Sequence, residues 1–171
     1  MDKNQFDVLF SSVHREGWAQ DPSELWQVVE QVQKIRPKTI LEIGVQGGQS
    51  LSIWDAILEE GGHLYGMDLV ETAKQSLYKN PLTFIIGRSE SPEVIAHTKE
   101  LITEVDFLFI DGEHVGENPR LDWENYSPLV RKGGIVGFHD IKIADVKKVF
   151  DAISQTKQSF LGQFGTGLVF I

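Results

Sequence analysis

The stretch of sequence that decides the fold runs from Leu41 to Ser50 and reads Leu-Glu-Ile-Gly-Val-Gln-Gly-Gly-Gln-Ser. An apolar run (39–43) leads into its glycines, and an amphipathic run (51–58) follows them. This order predicts a strand, a glycine turn and a helix. The helix N-terminus presents free backbone N–H groups and a partial positive charge, and glycines let a ligand approach the backbone closely. With Glu42 as a nearby acceptor, the turn suits a small molecule that carries a carboxylate and other polar groups.

Composition excludes several classes of function. The chain has 171 residues, 41% of them hydrophobic and 24% charged, which is typical of one globular domain with a substantial core. A net charge of −9 argues against a nucleic-acid partner, because the phosphates would be repelled. The absence of cysteine excludes disulfide scaffolds, thiolate zinc sites and cysteine nucleophiles. No run resembles a signal peptide or a membrane span, so we expect a cytoplasmic protein with no membrane partner.

Two helices are predicted ahead of Pro37. The first is amphipathic, with apolar residues at helical spacing at Phe6, Leu9, Phe10 and Val13. In the second, Asp21 is a good N-cap, Pro22 suits the first turn, and Glu24 is expected to complete a capping box. We expect a single domain over 1–171, in which 1–36 form a helical cover and 38–171 form the core that binds a cofactor.

Beyond Pro37, apolar strands alternate with helices. The predicted strands are 39–43, 63–67, 82–86, 105–110 and 135–138, with two short candidates at 160–161 and 168–171. A helix that opens at Asn118 is expected to turn Leu121, Leu129 and Val130 inward. Unbroken apolar strands separated by helices predict an α/β fold with a doubly wound, mostly parallel sheet.

Every predicted parallel strand is followed by a glycine or a polar residue: Gly44, Asp68, Ser89, Asp111, and His139 with Asp140. Because ligands of such sheets lie beyond the carboxyl ends of the strands, we expect one pocket along this edge. Asp68 is spaced from the glycine turn to accept hydrogen bonds from ribose hydroxyls, although it could also be a solvated loop acid. A nicotinamide oxidoreductase is disfavoured, because Gln46 replaces the second glycine of the dinucleotide fingerprint.

The spacing from Glu42 to Ser50, Glu-x-Gly-x-x-x-Gly-x-Ser, resembles that of class I S-adenosylmethionine-dependent methyltransferases. Asp-Gly-Glu-His at 111–114 and Gly-Gly followed by His-Asp at 133–140 narrow the resemblance. They are similar to the metal-dependent small-molecule O-methyltransferases of the catechol and caffeoyl-CoA type, and to bacterial sugar-modifying and cephalosporin-biosynthesis relatives. The similarity covers about 38–141 well and implies a Rossmann-like methyltransferase fold with N-terminal helices.

The resemblance also implies roles for the residues that match its motifs. Four residues would hold the amino-acid end of S-adenosyl-L-methionine: Glu42, Gly44, Gly48 and Ser50. Asp68 would bind the ribose hydroxyls, and Ser89 would lie near the adenine.

A divalent cation is the second implied cofactor, with Asp111, His139 and Asp140 at the positions of its ligands. The family commonly has a carboxylate where this chain has His139. Two carboxylates with a histidine suit Mn²⁺ or Fe²⁺ better than Mg²⁺. His139 could bind the cation directly, or it could only support Asp111 and Asp140 as the ligands. For the two acids, the alternative to binding a cation is a role as a helix cap or an ion-pair partner.

His114 lies three residues after Asp111, where the catechol enzymes carry a lysine base. An imidazole titrates near neutral pH and can accept the proton of an acceptor hydroxyl, so His114 and Asp111 are the predicted catalytic pair. The alternative is a solvated loop histidine. Trp123, close behind this loop, is a weaker candidate for contact with the substrate.

The sequence thus predicts an S-adenosylmethionine-dependent, cation-assisted O-methyltransferase that acts on a hydroxyl group of a small molecule. A second hypothesis is a protein that binds S-adenosylmethionine or another metabolite without transferring a methyl group. A homo-oligomer is also conceivable, because the apolar face of the first helix could pair with another copy.

Overall fold

The computed structural model describes residues 1–171. Seven strands form one sheet: β1 (Thr39–Ile43), β2 (His63–Asp68), β3 (Leu82–Ile86), β4 (Val105–Ile110), β5 (Val130–Phe138), β6 (Thr156–Phe160) and β7 (Thr166–Phe170). Their order across the sheet is β3-β2-β1-β4-β5-β7-β6. The first five strands are parallel, and β7 runs antiparallel to both β5 and β6. This confirms the predicted doubly wound, mostly parallel α/β sheet.

Six α-helices connect or cover the strands: α1 (Lys3–Val13), α2 (Pro22–Lys34), α3 (Gln49–Ile57), α4 (Pro92–Leu101), α5 (Asn118–Tyr126) and α6 (Ala144–Ala152). The first three pack on one face of the sheet and the last three on the other. In β4, Phe107 and Phe109 face one layer while Leu108 and Ile110 face the opposite layer. Burial on both faces explains why this strand is an almost unbroken apolar run. None of the helices is both long and apolar enough to cross a membrane.

The largest departure from the predicted elements lies between α5 and β5. Val130 is the first residue of β5, where it pairs with Val105, and Leu129 lies in a 3-10 turn. The buried face of α5 carries Asp122 and Tyr126, whereas Leu121 is only half-buried. The prediction was wrong here because it assigned the inward face to the apolar residues.

A second correction concerns Glu24. Asp21 caps α2 as predicted, accepting from the backbone N–H groups of Ser23 and Glu24. Glu24 does not complete a capping box. Its buried carboxylate instead accepts hydrogen bonds from the backbone N–H groups of Phe164 and Gly165 and from the Thr166 hydroxyl, at 2.9 to 3.1 Å. It therefore ties the turn between β6 and β7 to the start of α2.

The apolar face of α1 packs within the chain. Phe6 is fully buried and Phe10 nearly so, and both belong to the core cluster that α2 and α3 share. The apolar face of α1, which was considered for pairing with another copy, is therefore packed in the core of this chain. A homo-oligomer stays a prediction, and no surface is assigned to it.

Candidate active site

The carboxyl ends of the parallel strands surround one cavity of about 400 Å³. The predicted residues that line it are Gly44, Asp68, Ser89, Asp111, His114, His139 and Asp140. Because these residues come from five different strand ends, the fold itself brings them together. The predicted single pocket along this edge is therefore present.

Glycine is required where the turn after β1 meets the end of β4. Gly44 has a φ of +86°, and a Cβ atom there would overlap the backbone oxygen of Asp111. The Asp111 N–H in turn donates to the Ile43 oxygen at 2.8 Å. The glycine turn and the acid that ends β4 are thereby held directly against each other.

The predicted acid of the glycine turn lies beneath the turn. Glu42 is fully buried, and its Oε1 accepts a hydrogen bond from the hydroxyl of Ser50, which is itself buried in α3. Its other oxygen, Oε2, is buried without a partner. Burial raises the pKa of Glu42 well above its ordinary value, and the charges of Asp111 and Asp68 add to that rise although the Ser50 hydroxyl opposes it. The fold therefore favours the protonated form of Glu42. Neither Glu42 nor Ser50 lines the cavity.

Gly48 shapes the start of α3. It is the N-cap residue of this helix with a φ of +78°, and its backbone oxygen accepts a hydrogen bond from the Tyr78 hydroxyl at 3.1 Å. Gly48 is buried and does not line the cavity. It therefore acts on the site by setting the direction in which α3 leaves the turn.

Asp68 ends β2 at the rim of the cavity. One carboxylate oxygen accepts from the backbone N–H of Gln46 at 2.7 Å, and the other accepts from that of Leu69 at 2.6 Å. Each oxygen keeps a lone pair that can accept a further hydrogen bond. Asp68 thus joins the glycine turn to the end of β2 and still offers acceptors to a ligand.

Ser89 lines the cavity above a buried acid that the sequence did not single out. The Tyr126 hydroxyl donates to the backbone oxygen of Ser89 at 2.6 Å. Asp122 is 1% exposed, and burial raises its pKa to about 6. Its inward position could have been inferred from Tyr126, which lies four residues later on the same helix face.

The densest group of polar side chains lies at the ends of β4 and β5. One potential ligand atom from each of Asp111, His114, His139 and Asp140 lies within 4.8 Å of the other three. The Nδ1 atom of His139 is 3.1 Å from Asp111 Oδ1 and 3.0 Å from Asp140 Oδ2. The Nε2 atom of His114 is 3.4 Å and 3.2 Å from the same two oxygens. All four residues converge as the sequence predicts.

Electrostatics within this cluster favour charged side chains. Burial alone would raise the pKa of Asp111, but His139 and His114 outweigh it and bring the pKa below its ordinary value. Burial likewise opposes a charged His139, yet Asp111 and Asp140 raise its pKa to about 10. The Asp111 hydrogen bond also raises the pKa of His114. Two carboxylates that attract positive charge this strongly provide an environment suited to a cation.

The orientation of His139 is fixed by packing. Its ring is 2% exposed and lies between the rings of Phe109 and Phe164, whose centroids are 6.4 and 5.5 Å away. Nδ1 faces the two acids, whereas Nε2 is buried without a partner. Asp140 follows with a φ of +58°, in the left-handed region that aspartate tolerates better than most residues. Nδ1 is therefore the atom through which His139 can act in the cluster.

The segment 15–20 was expected to line the acceptor pocket, but sequence reasoning missed a contact that it makes with the cluster. Gln20, in the segment between α1 and α2, donates from Nε2 to Asp111 Oδ2 at 2.8 Å. Gln20, Trp18 and Ala19 all line the cavity. This contact joins residues 91 positions apart, so no local pattern could have revealed it. Trp123, in contrast, packs on Phe138 and lines a separate cavity between α5 and α6.

Comparison with protein families decides the class of this chain. Residues 41–141 match a family profile that is described as a methyltransferase domain, and they make up more than half of the chain. The chain belongs to this methyltransferase family. The matched segment begins in β1 and ends just after Asp140, so it contains the glycine turn and most of the residues that line the cavity. The predicted class, S-adenosylmethionine-dependent methyltransferases, is confirmed.

Solved structures of O-methyltransferases share the fold of this methyltransferase. It is similar to the O-methyltransferase from Bacillus cereus in complex with S-adenosylhomocysteine (TM-score 0.74, 17% identity, 99% of this chain and 90% of that chain). It is similar to TomG from Streptomyces achromogenes, involved in tomaymycin synthesis and solved with S-adenosylmethionine (TM-score 0.73, 15% identity, 99% and 88%). MycE of the mycinamycin pathway, solved with Mg, S-adenosylhomocysteine and mycinamycin VI, has a TM-score of 0.76 at 16% identity, and the match covers 96% of this chain and 53% of MycE. No curated protein sequence matches the chain.

Proposed function

We propose that this methyltransferase transfers the methyl group of S-adenosylmethionine to a hydroxyl oxygen of a small molecule with the help of a divalent cation. The observation that carries the proposal is the cluster of Asp111, His114, His139 and Asp140 in the same cavity as Gly44 and Asp68. A methyl donor bound at the glycine turn would therefore lie beside the cluster, where an acceptor can meet it.

The cavity offers groups that fit each part of S-adenosylmethionine. The amino-acid end suits the glycine turn, where Gly44 lines the cavity and no side chain caps the N-terminus of α3. Glu42 and Ser50 lie beneath this turn, outside the lining of the cavity, and support it through their mutual hydrogen bond. Asp68 has acceptors left for the ribose hydroxyls, and Ser89 is assigned to the adenine.

The cluster also fits a divalent cation. Asp111, Asp140 and Nδ1 of His139 are assigned as its ligands, because their atoms converge and both carboxylates face the cavity. Two carboxylates and an imidazole favour Mn²⁺ or Fe²⁺, although oxygen-rich sites also take Mg²⁺. When bound, such a cation lowers the pKa of a coordinated hydroxyl group and helps to orient it.

His114 is assigned as the general base. Its Nε2 atom lies at the mouth of the cluster, 3.2 Å from Asp140 Oδ2, and its side chain is 31% exposed. Because Nε2 contacts the two carboxylates, it carries the ring hydrogen in neutral His114, so the ring accepts the hydroxyl proton at Nδ1 as the acceptor oxygen bonds to the methyl carbon. The bond from that carbon to sulfur breaks, which leaves S-adenosylhomocysteine as a neutral thioether. The remaining task of the protein is alignment, and good alignment can lower a barrier by about 7–11 kcal/mol.

The acceptor that best uses this arrangement is a chelating one, such as a catechol or a vicinal diol. Asp111 and Asp140 have side chains that are 16% and 15% exposed, so the cluster stays open toward the cavity. Two adjacent hydroxyls could reach the cation from that side while His114 accepts the proton of one of them.

A two-step experiment tests the proposal. Calorimetry with S-adenosylhomocysteine is expected to show binding. A methyl-transfer assay over catechols and vicinal diols, with Mg²⁺, Mn²⁺ or Fe²⁺, is then expected to show turnover that a chelator removes. Binding without transfer with any of the metals would favour a binding protein, and turnover that persists with the chelator would contradict the role of the cation.

A further inference from the structure

We infer that Gln20 is a positioning residue for Asp111: its amide engages one carboxylate oxygen and so directs the other into the cation site. The inference rests on the proposed cation-assisted function. It adds a part of the site that lies outside the matched methyltransferase segment, 41–141.

The two oxygens of Asp111 have separate partners. Oδ2 accepts from Gln20 Nε2 at 2.8 Å, whereas Oδ1 faces His139 Nδ1 at 3.1 Å and His114 Nε2 at 3.4 Å. Rotation of the carboxylate away from this position would break the contacts on both sides. The hydrogen bond from Gln20 therefore favours an Asp111 that offers a single oxygen, Oδ1, to the cluster.

Gln20 is itself held from both directions along the chain. Before it, the Trp18 ring stacks on that of Phe10, with centroids 4.8 Å apart. After it, Asp21 accepts from the backbone N–H of Gln163 at 2.9 Å, and Glu24 binds the same turn between β6 and β7. Gln20 is 8% exposed. The amide is therefore held next to Asp111 by a segment that is anchored on both sides of Gln20.

The chemistry of an amide suits this task. A glutamine N–H donates to a carboxylate without adding a charge that would compete with the cation. Partners of this kind fix the orientation of a ligating side chain, and their removal typically weakens metal binding by about 10-fold to 100-fold. We expect an effect of that size at Gln20.

Direct measurement of Mn²⁺ binding tests the inference. Gln20→Met keeps the length of the side chain without its donor, and Gln20→Ala removes both. Gln27→Met is the matched control, since the Gln27 amide also donates a hydrogen bond, to the backbone oxygen of Ser23 at 3.1 Å, but within α2. Electron paramagnetic resonance with Mn²⁺ alone measures metal affinity, and calorimetry with S-adenosylhomocysteine and thermal unfolding are run on the same samples.

Both Gln20 variants are expected to raise the Kd for Mn²⁺ by about 10-fold to 100-fold. Their affinity for S-adenosylhomocysteine without metal is expected to match that of the parent, and Gln27→Met is expected to leave both affinities unchanged. Equal Mn²⁺ binding by the parent and Gln20→Met would overturn the inference and leave the proposed function standing. If the Gln20 variants lost as much affinity for S-adenosylhomocysteine as for Mn²⁺, the inference would also be overturned, because that result would indicate a general distortion of the cavity. A parent protein that binds no Mn²⁺ would instead overturn the cation-assisted function itself.

Discussion

Glu42 and Asp111 lie at the same edge of the sheet, at adjacent strands, and the fold shifts their pKa values in opposite directions. Glu42 is enclosed by the core with a hydroxyl as its neighbour, so burial raises its pKa far above the ordinary value. Asp111 faces two histidines, which outweigh the effect of burial and lower its pKa. The charge of a buried acid is therefore decided by its partners and not by its burial alone.

This contrast divides the cavity into two halves. The half at the glycine turn has below it an acid whose pKa is raised and whose neighbour is a hydroxyl group. The half at β4 and β5 has two carboxylates beside two histidines, which suits a cation. A substitution in one half is therefore expected to affect methyl transfer to a very different extent from a substitution in the other half.

The largest effect is expected for Asp140→Asn. Asparagine tolerates the left-handed backbone conformation at this position, so the fold should persist while one anionic oxygen is lost. We expect methyl transfer to fall to background because the cation is no longer held, whereas S-adenosylhomocysteine still binds. A radiolabelled methyl-transfer assay and calorimetry measure the two quantities.

Asp151→Asn is the control for this loss of charge, since Asp151 pairs with Lys147 on the surface of α6. It is expected to behave as the parent does. Substantial turnover by Asp140→Asn would mean that the half of the cavity at β4 and β5 does not need its second carboxylate.

A smaller effect is expected for His114→Gln. Loss of a general base typically costs about 100-fold or more in rate, while the carboxylates that hold Mn²⁺ remain. The base is active when neutral, so the parent rate should rise with pH through the pKa of His114, which Asp111 raises above 6.5 in the absence of a cation. A bound cation lowers that pKa by repulsion, so the rise should move to lower pH as the metal concentration increases.

The pH–rate profile with and without His114 checks this assignment. In His114→Gln the rising limb is expected to disappear along with most of the rate. An unchanged limb in the variant would assign the proton acceptor to another group or to solvent.

The smallest effect is expected for Glu42→Gln. A pKa raised in the folded state means that the folded protein binds a proton that the unfolded chain has released above about pH 4.5. Glu42 therefore lowers stability as the pH rises through 4.5, by about 1.4 kcal/mol for each unit of the rise in pKa. Glutamine removes this penalty, so the variant should unfold at an equal or higher temperature at pH 8 and match the parent near pH 4.

Thermal unfolding across this pH range measures the effect. A strong destabilisation of Glu42→Gln at pH 8 would show that Glu42 is ionised and has a cationic partner. That result would remove the contrast between the two halves of the cavity.

Local patterns in the sequence were sufficient to predict the strands that position the site. The runs 39–43 and 105–110 are both buried on two faces and end at a glycine and an acid, so their boundaries were predicted correctly. The polar residues after each parallel strand then had to meet at one edge. For the same reason the meeting of Asp111 with His139 and Asp140 followed from topology alone.

Contacts between distant segments could not be predicted in this way, and a buried polar group was overlooked. Glu24 has the spacing of a capping box, but it binds a turn about 140 residues later. The loop that contains Gln20 was expected at the pocket, but the partner of Gln20 could not be predicted, since it lies at the end of β4. Hydrophobic periodicity also overlooked Asp122, because it places polar residues on the outer face of a helix.

The methyl donor and the cation are expected to occupy neighbouring places in one cavity. A crystal of the protein grown with S-adenosylhomocysteine and Mn²⁺, measured at a wavelength where manganese scatters anomalously, would locate both. The predicted result is a manganese peak between Asp111, His139 and Asp140, with the adenosine beside Asp68 and Ser89. A manganese peak elsewhere, or adenosine bound outside this cavity, would contradict the account.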